Sequence, residues 1–81
     1  MSEKITFEQL ERTLNDFGFK RSQIGGHVIF RHPKTGTVLT VPNNEPTVRQ
    51  VYVTTAARQV ADSGIATTKA FENKLSKHAH S

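Results

Sequence analysis

Two turn signals divide the middle of this sequence and leave it little choice of architecture. Gly25-Gly26 and Pro33-Lys34-Thr35-Gly36 cut residues 19–41 into three runs of five or six β-favouring residues: Phe19–Ile24, His27–His32 and Thr37–Val41. Adjacent glycines accept positive φ without strain, so the first break reads as a tight hairpin. In the second, Pro33 is pre-set for an early turn position and Gly36 stands near the end. The middle run places Val28, Ile29 and Phe30 together; the last is nearly all β-branched until Pro42 removes a ladder donor. Short runs joined by tight turns pair with their chain neighbours, which predicts a three-stranded antiparallel meander.

The flanks carry a helical period instead. Phe7, Leu10, Leu14 and Phe17 follow at spacings of 3, 4 and 3, so one face of a helix over Thr6–Phe17 is apolar. Thr6 with Gln9 has capping-box spacing, and Gly18 is the expected stop. After a loop at Asn43–Pro46, Thr47 and Gln50 repeat that spacing and predict a second helix starting at Thr47. Tyr52, Ala56 and Val60, with Val53 and Ala57, form its stripe, and Gly64 ends it. Val51, Val53, Thr54 and Thr55 are poor helix formers in its early turns. Phe71 and Leu75, four apart, allow a short final helix over Thr68–Lys77, and the tail Lys77–Ser81 is expected to fray. The fold class is α+β, in the order α-β-β-β-α, with both main helices on one face of the sheet and the other face open.

Size sets further limits. The 81 residues make one domain, residues 1–81, with 35% apolar residues and no Trp. A chain this short buries only about 60–65% of its unfolded surface, which argues against a large enclosed cavity or a dinucleotide-binding domain. Cysteine is absent, which removes disulfides, thiolate metal sites and a Cys nucleophile. No apolar run approaches the ~18 residues of a membrane span, so no membrane partner is expected. Met1-Ser2-Glu3-Lys4 opens a polar segment unlike a signal peptide, and a cytoplasmic location is expected. Eleven Lys and Arg against seven Asp and Glu give a net charge of +4, which suits a polyanionic partner or simple solubility. The His78-Ala79-His80 tail supplies two metal ligands, too few for a closed site. No P-loop, zinc-protease helix or nucleophile elbow is present, and no cofactor is expected.

Strand alternation sorts the remaining polar residues. With Val28 and Phe30 inward, His27, Ile29 and Arg31 face outward, while His32, at an odd offset from His27, points the opposite way. With Phe19 in the core, Lys20 and Ser22 join the outward set and Arg21 lies on the helix side. The open face is thus expected to carry Lys20, Ser22, His27, Ile29 and Arg31 beside the Gly25-Gly26 turn. Such a face can meet phosphates. His27 is either a polar residue next to a turn or a general base of the kind that works near neutral pH. Lys20 and Arg31 are either solvated charges or phosphate contacts, and the glycines either only make the hairpin or also let a substrate backbone come close.

Several of these segments resemble one family. Gly25-Gly26-His27-Val28-Ile29-Phe30-Arg31-His32-Pro33 is similar to the central motif of the HicA-type (YcfA-like) toxins, in which a Gly-Ser-His stretch opens the second strand. Leu14–Phe19, Val41-Pro42, Ala61–Ile65 and the pair Phe71 and Leu75 resemble other parts of the pattern, over about residues 5–75. Gly26 stands where that family usually carries serine, and Asn43–Pro46 lacks its usual basic and His residues. The resemblance implies a double-stranded-RNA-binding-domain-like fold and a toxin of a toxin–antitoxin pair that cuts mRNA. It also implies His27 as the catalytic residue, RNA contacts from Lys20, Ser22, Gly25, Gly26 and Arg31, and a HicB-type antitoxin as partner. On that reading neutral His27 takes the 2′-OH proton of RNA, Lys20 or Arg31 steadies the charge that develops on phosphate, and no metal is needed. A non-catalytic double-stranded-RNA-binding module and a pure interaction protein are the competing readings.

Overall fold

The computed structural model describes residues 4–43 and 45–79. Ile5–Thr6 form a two-residue strand, β1, and Thr6 then caps α1 (Phe7–Asp16). The capping box forms as the spacing predicts: Thr6 Oγ1 accepts from the Gln9 N–H at 3.1 Å, and Gln9 Oε1 accepts from the Thr6 N–H at 2.9 Å. Phe7, Leu10 and Leu14 are buried on one face of α1. Thr13 is buried with them, its hydroxyl donating back to the Gln9 carbonyl at 2.9 Å. Phe17 caps the helix C-terminally and stacks on Phe71, ring centroids 5.9 Å apart. The chain then reverses in a Schellman arrangement, with Phe19 N–H on Leu14 O, Gly18 N–H on Asn15 O, and Gly18 at φ +95°.

The meander follows as β2 (Lys20–Ile24), β3 (His27–Arg31) and β4 (Val38–Pro42), an antiparallel sheet in the order β2-β3-β4. Val28 and Phe30 are fully buried, and burying one such side chain contributes about 1.5–3 kcal/mol. They meet Phe7, Leu10 and Leu14 of α1 in one core with Phe19, Leu39 and Val41.

The second helix begins later than its sequence spacing suggests. Thr47–Val48 form a strand, β5, antiparallel to β1 with Thr6 opposite Thr47 and Ile5 opposite Val48. The helix α2 (Gln50–Asp62) starts from Arg49 with no side-chain cap, and the Gln50 side chain turns to Thr54 instead. The β-branched pair Thr47-Val48 satisfies its backbone better against the extended β1 than in a first helical turn. Val53, Ala56, Ala57 and Val60 face the core, and Gly64 (φ +74°) closes α2 with the same hydrogen-bond pattern seen after α1.

The last helix, α3 (Thr68–Ala79), buries Phe71 and Leu75 and packs chiefly against α1 and α2. The expected fraying from Lys77 does not occur before Ala79, because His78 Nε2 lies 2.6 Å from Asp16 Oδ2 at the end of α1. His80 and Ser81 lie outside the described residues. The architecture of the described residues is therefore α+β: a three-stranded antiparallel sheet and the two-stranded β1–β5 pair, with three helices. No helix among the described residues is long and apolar enough to cross a membrane.

Candidate functional site

Register decides which side chains share the open face. Lys20 pairs with Arg31, Ser22 with Ile29 and Ile24 with His27; on the other side His27 pairs with Pro42, Ile29 with Thr40 and Arg31 with Val38. Since Val28, Phe30, Leu39 and Val41 are buried, the alternate residues stand on the face away from the core. Lys20, Ser22, His27, Arg31 and Thr40 are exposed there and Ile29 is half-buried. Val38, 53% exposed, adds an apolar patch beside Arg31. The expected composition of this face is thus what the structure carries.

Arg21 faces the other way, as alternation predicts. Its guanidinium lies 5.6 Å from the Phe7 ring centroid and its Nη1 contacts both Glu11 carboxylate oxygens, at 2.9 and 3.0 Å. It is held by the fold and is not offered to a ligand.

The two histidines of the central motif take opposite roles. His32 is 7% exposed, its ring edge-on to Phe19 at 5.1 Å. Nε2 faces the Phe17 carbonyl at 3.0 Å and Nδ1 faces the Thr35 N–H at 3.3 Å. A carbonyl only accepts and an N–H only donates, so the proton sits on Nε2. His32 therefore ties the α1–β2 turn to the β3–β4 turn. His27, by contrast, is exposed, and its ring makes no hydrogen bond or ion pair among the described residues.

His27 follows a two-residue hairpin turn in which only Gly25, at φ +62°, has positive φ. Glycine first, with an ordinary residue second, is the type II′ requirement. Gly26 needs no special conformation, and a Cβ built there meets nothing within 4 Å. The two glycines are therefore separable. Gly26→Ser is expected to leave the melting temperature unchanged or raise it, by up to the ~0.4–1 kcal/mol gained when the unfolded chain loses freedom. Gly25→Ser is expected to lower stability by about 1–2 kcal/mol, the strain of a left-handed non-glycine residue. Paired thermal melts check both.

The sheet keeps the cations of this face away from His27. Arg31 lies four residues along β3 from His27, about 13 Å at the usual strand rise, with Lys20 directly across from it. Neither makes an ion pair among the described residues. Two like charges set opposite each other destabilise a sheet. Their position suits holding a backbone some way along from His27, and it does not bring them to a phosphate at the His27 ring.

The end of the sheet that carries His27 has other neighbours, which sequence reasoning missed. Antiparallel pairing sets the end of β4 beside the start of β3, so the chain from Pro42 into α2 passes there. Pro42, Glu45, Thr47, Val48, Arg49 and Tyr52 line an open cleft of about 260 Å³. Tyr52 reads in sequence as a member of the apolar stripe, and Asn43–Pro46 as plain loop. The strand β5 (Thr47–Val48), which leads through Arg49 into α2, has no clear sequence signature in two residues. Among the described residues no cluster of three or more His, Cys, Asp or Glu could hold a metal ion. His78 is engaged with Asp16, and His80 lies outside the described residues. No family model matches this chain, and neither does any curated protein.

Proposed function

We propose that this chain is an endoribonuclease toxin of the HicA type with a double-stranded-RNA-binding-domain-like fold, and that His27 is its general base. One observation supports this above the others: an unengaged histidine stands beside a glycine turn on a sheet face that the helices leave bare. The element order and the antiparallel meander fit the fold implied by the family resemblance.

RNA brings its own nucleophile. His27 takes the 2′-OH proton, the 2′-oxygen bonds to the adjacent phosphorus, and the bond from phosphorus to the 5′-oxygen breaks. The 5′-oxygen takes a proton from water or from the imidazolium, leaving a 2′,3′-cyclic phosphate and a 5′-hydroxyl. The chemistry requires a base near the ribose and a held backbone, not a metal. In this reading Lys20, Ser22 and Arg31 carry the strand across the open face, with Gly25 and Gly26 letting it approach His27. A HicB-type antitoxin would cover the same face. The decisive assay offers the purified protein an RNA and a DNA of the same sequence. RNA cleavage to cyclic-phosphate ends with DNA left intact is expected; equal cleavage of both sinks the mechanism.

The distance between His27 and the Lys20–Arg31 pair favours one second reading, a non-catalytic module that binds RNA through that pair. Both readings predict that Lys20→Ala with Arg31→Ala flattens the salt dependence of RNA binding, by roughly 1.4 in the log–log slope for two lost phosphate contacts on a single strand and roughly 1.8 on the duplex that the second reading takes as its ligand. Either single substitution is expected to stabilise the fold by about 0.2–1 kcal/mol by removing like-charge repulsion. Fluorescence titration at several salt concentrations and urea melts measure the two effects. Only the nuclease reading predicts that His27 matters to product formation.

A further inference from the structure

We infer that the cleft between Pro42 and Tyr52 seats a nucleobase next to the phosphate at which His27 works, and that it disfavours uracil. The inference rests on the nuclease reading and names a specificity site for it. Three observations converge. Pro42 is both the cross-strand partner of His27 and a wall of the cleft, so the Cα atoms of the two lie about 5 Å apart across the strand pair. The cleft, about 260 Å³ and open to solvent, falls just below the ~300–1,000 Å³ of drug-sized ligand sites and suits one ring system. Its lining combines the half-buried Tyr52 ring, Pro42 and Val48 with hydrogen-bonding groups on Glu45, Thr47 and Arg49, the mixture that holds an unstacked RNA base.

The charged rim adds selectivity. Arg49 and Glu45 face each other loosely, Nη2 to Oε1 3.9 Å, with side chains 76% and 53% exposed. An ion pair this open holds its members weakly, so both are available to a ligand. Glu45 can only accept hydrogen bonds when ionised. Guanine, cytosine and adenine each present an exocyclic amine to it, whereas uracil presents an N–H flanked by two carbonyl oxygens that the carboxylate repels.

The experiment maps cleavage sites on a random-sequence RNA for the wild type, His27→Ala, Tyr52→Ala, Tyr52→Phe and Glu45→Gln, each checked for folding by circular dichroism. Wild type is expected to avoid uracil at one position beside the cut, and Glu45→Gln, a change on an exposed loop, to admit it. Tyr52→Ala is expected to lower kcat/KM by roughly 5- to 150-fold, the loss of one base–aromatic stack, with Tyr52→Phe staying nearer wild type because it keeps the ring. Cleavage that needs His27 but shows the same base use in Glu45→Gln and Tyr52→Ala as in wild type overturns the cleft and leaves the nuclease reading standing. Absence of cleavage by the wild type overturns both.

Discussion

His27→Ala is expected to slow RNA cleavage by orders of magnitude while leaving the fold and its melting temperature essentially intact. The ring is exposed, packs in no core and makes no hydrogen bond among the described residues, so its removal leaves no cavity and orphans no partner. A positioned general base is worth about 10²–10⁴-fold in rate, and that is the expected fall in cleavage rate measured under single-turnover conditions. Binding to RNA, read by fluorescence titration, should change far less than cleavage, since Lys20 and Arg31 remain. Parental cleavage by the purified variant would remove His27 from the mechanism.

The opposite outcome is expected five residues on. His32→Ala should lower stability by about 2–4 kcal/mol, the largest effect expected of any of the three described histidines. The substitution leaves the half-buried Phe17 carbonyl without its partner, and an unsatisfied buried group costs about 1–3 kcal/mol; the Thr35 N–H, on an exposed residue, loses its contact at smaller cost. The change also opens a cavity beside Phe19 and Gly18. Urea unfolding measures the loss, and the folded fraction should retain cleavage in proportion to its population. His32→Gln, which can donate to one of these groups, is expected to recover part of the deficit. If His32→Ala melted with the wild type while cutting no RNA, the roles of the two histidines would be exchanged.

The placement of His27 outside and His32 inside was legible in the sequence, because strand parity alone sends them to opposite faces. The same parity placed Lys20, Ser22 and Arg31 outward and Arg21 inward, and turn chemistry at Gly25-Gly26 and Pro33–Gly36 located the strands. Local signals of this kind survive folding because the core rewards them: the period-two pattern buries Val28 and Phe30, and the helical period buries Leu10 and Leu14. The start of α2 was misread for the same reason in reverse. The spacing of Thr47 and Gln50 is a local cap signal, and a pairing with Ile5–Thr6, some forty residues away in sequence, overrides it.

What lies beside His27 belongs to a different level. Residue types and alternation establish that an exposed imidazole and two cations share a face, and the four-residue offset along β3 already separates Arg31 from His27; pairing register decides where Lys20 stands and puts it opposite Arg31, at the far end of the sheet. The cleft at the near end is assembled from Pro42, a loop, a two-residue strand and the first turn of α2. None of these is adjacent to His27 in the chain. Periodicity and capping act within a few residues and can be read directly from them. A site built by long-range pairing is decided only when backbone hydrogen bonds and side-chain packing close the chain on itself.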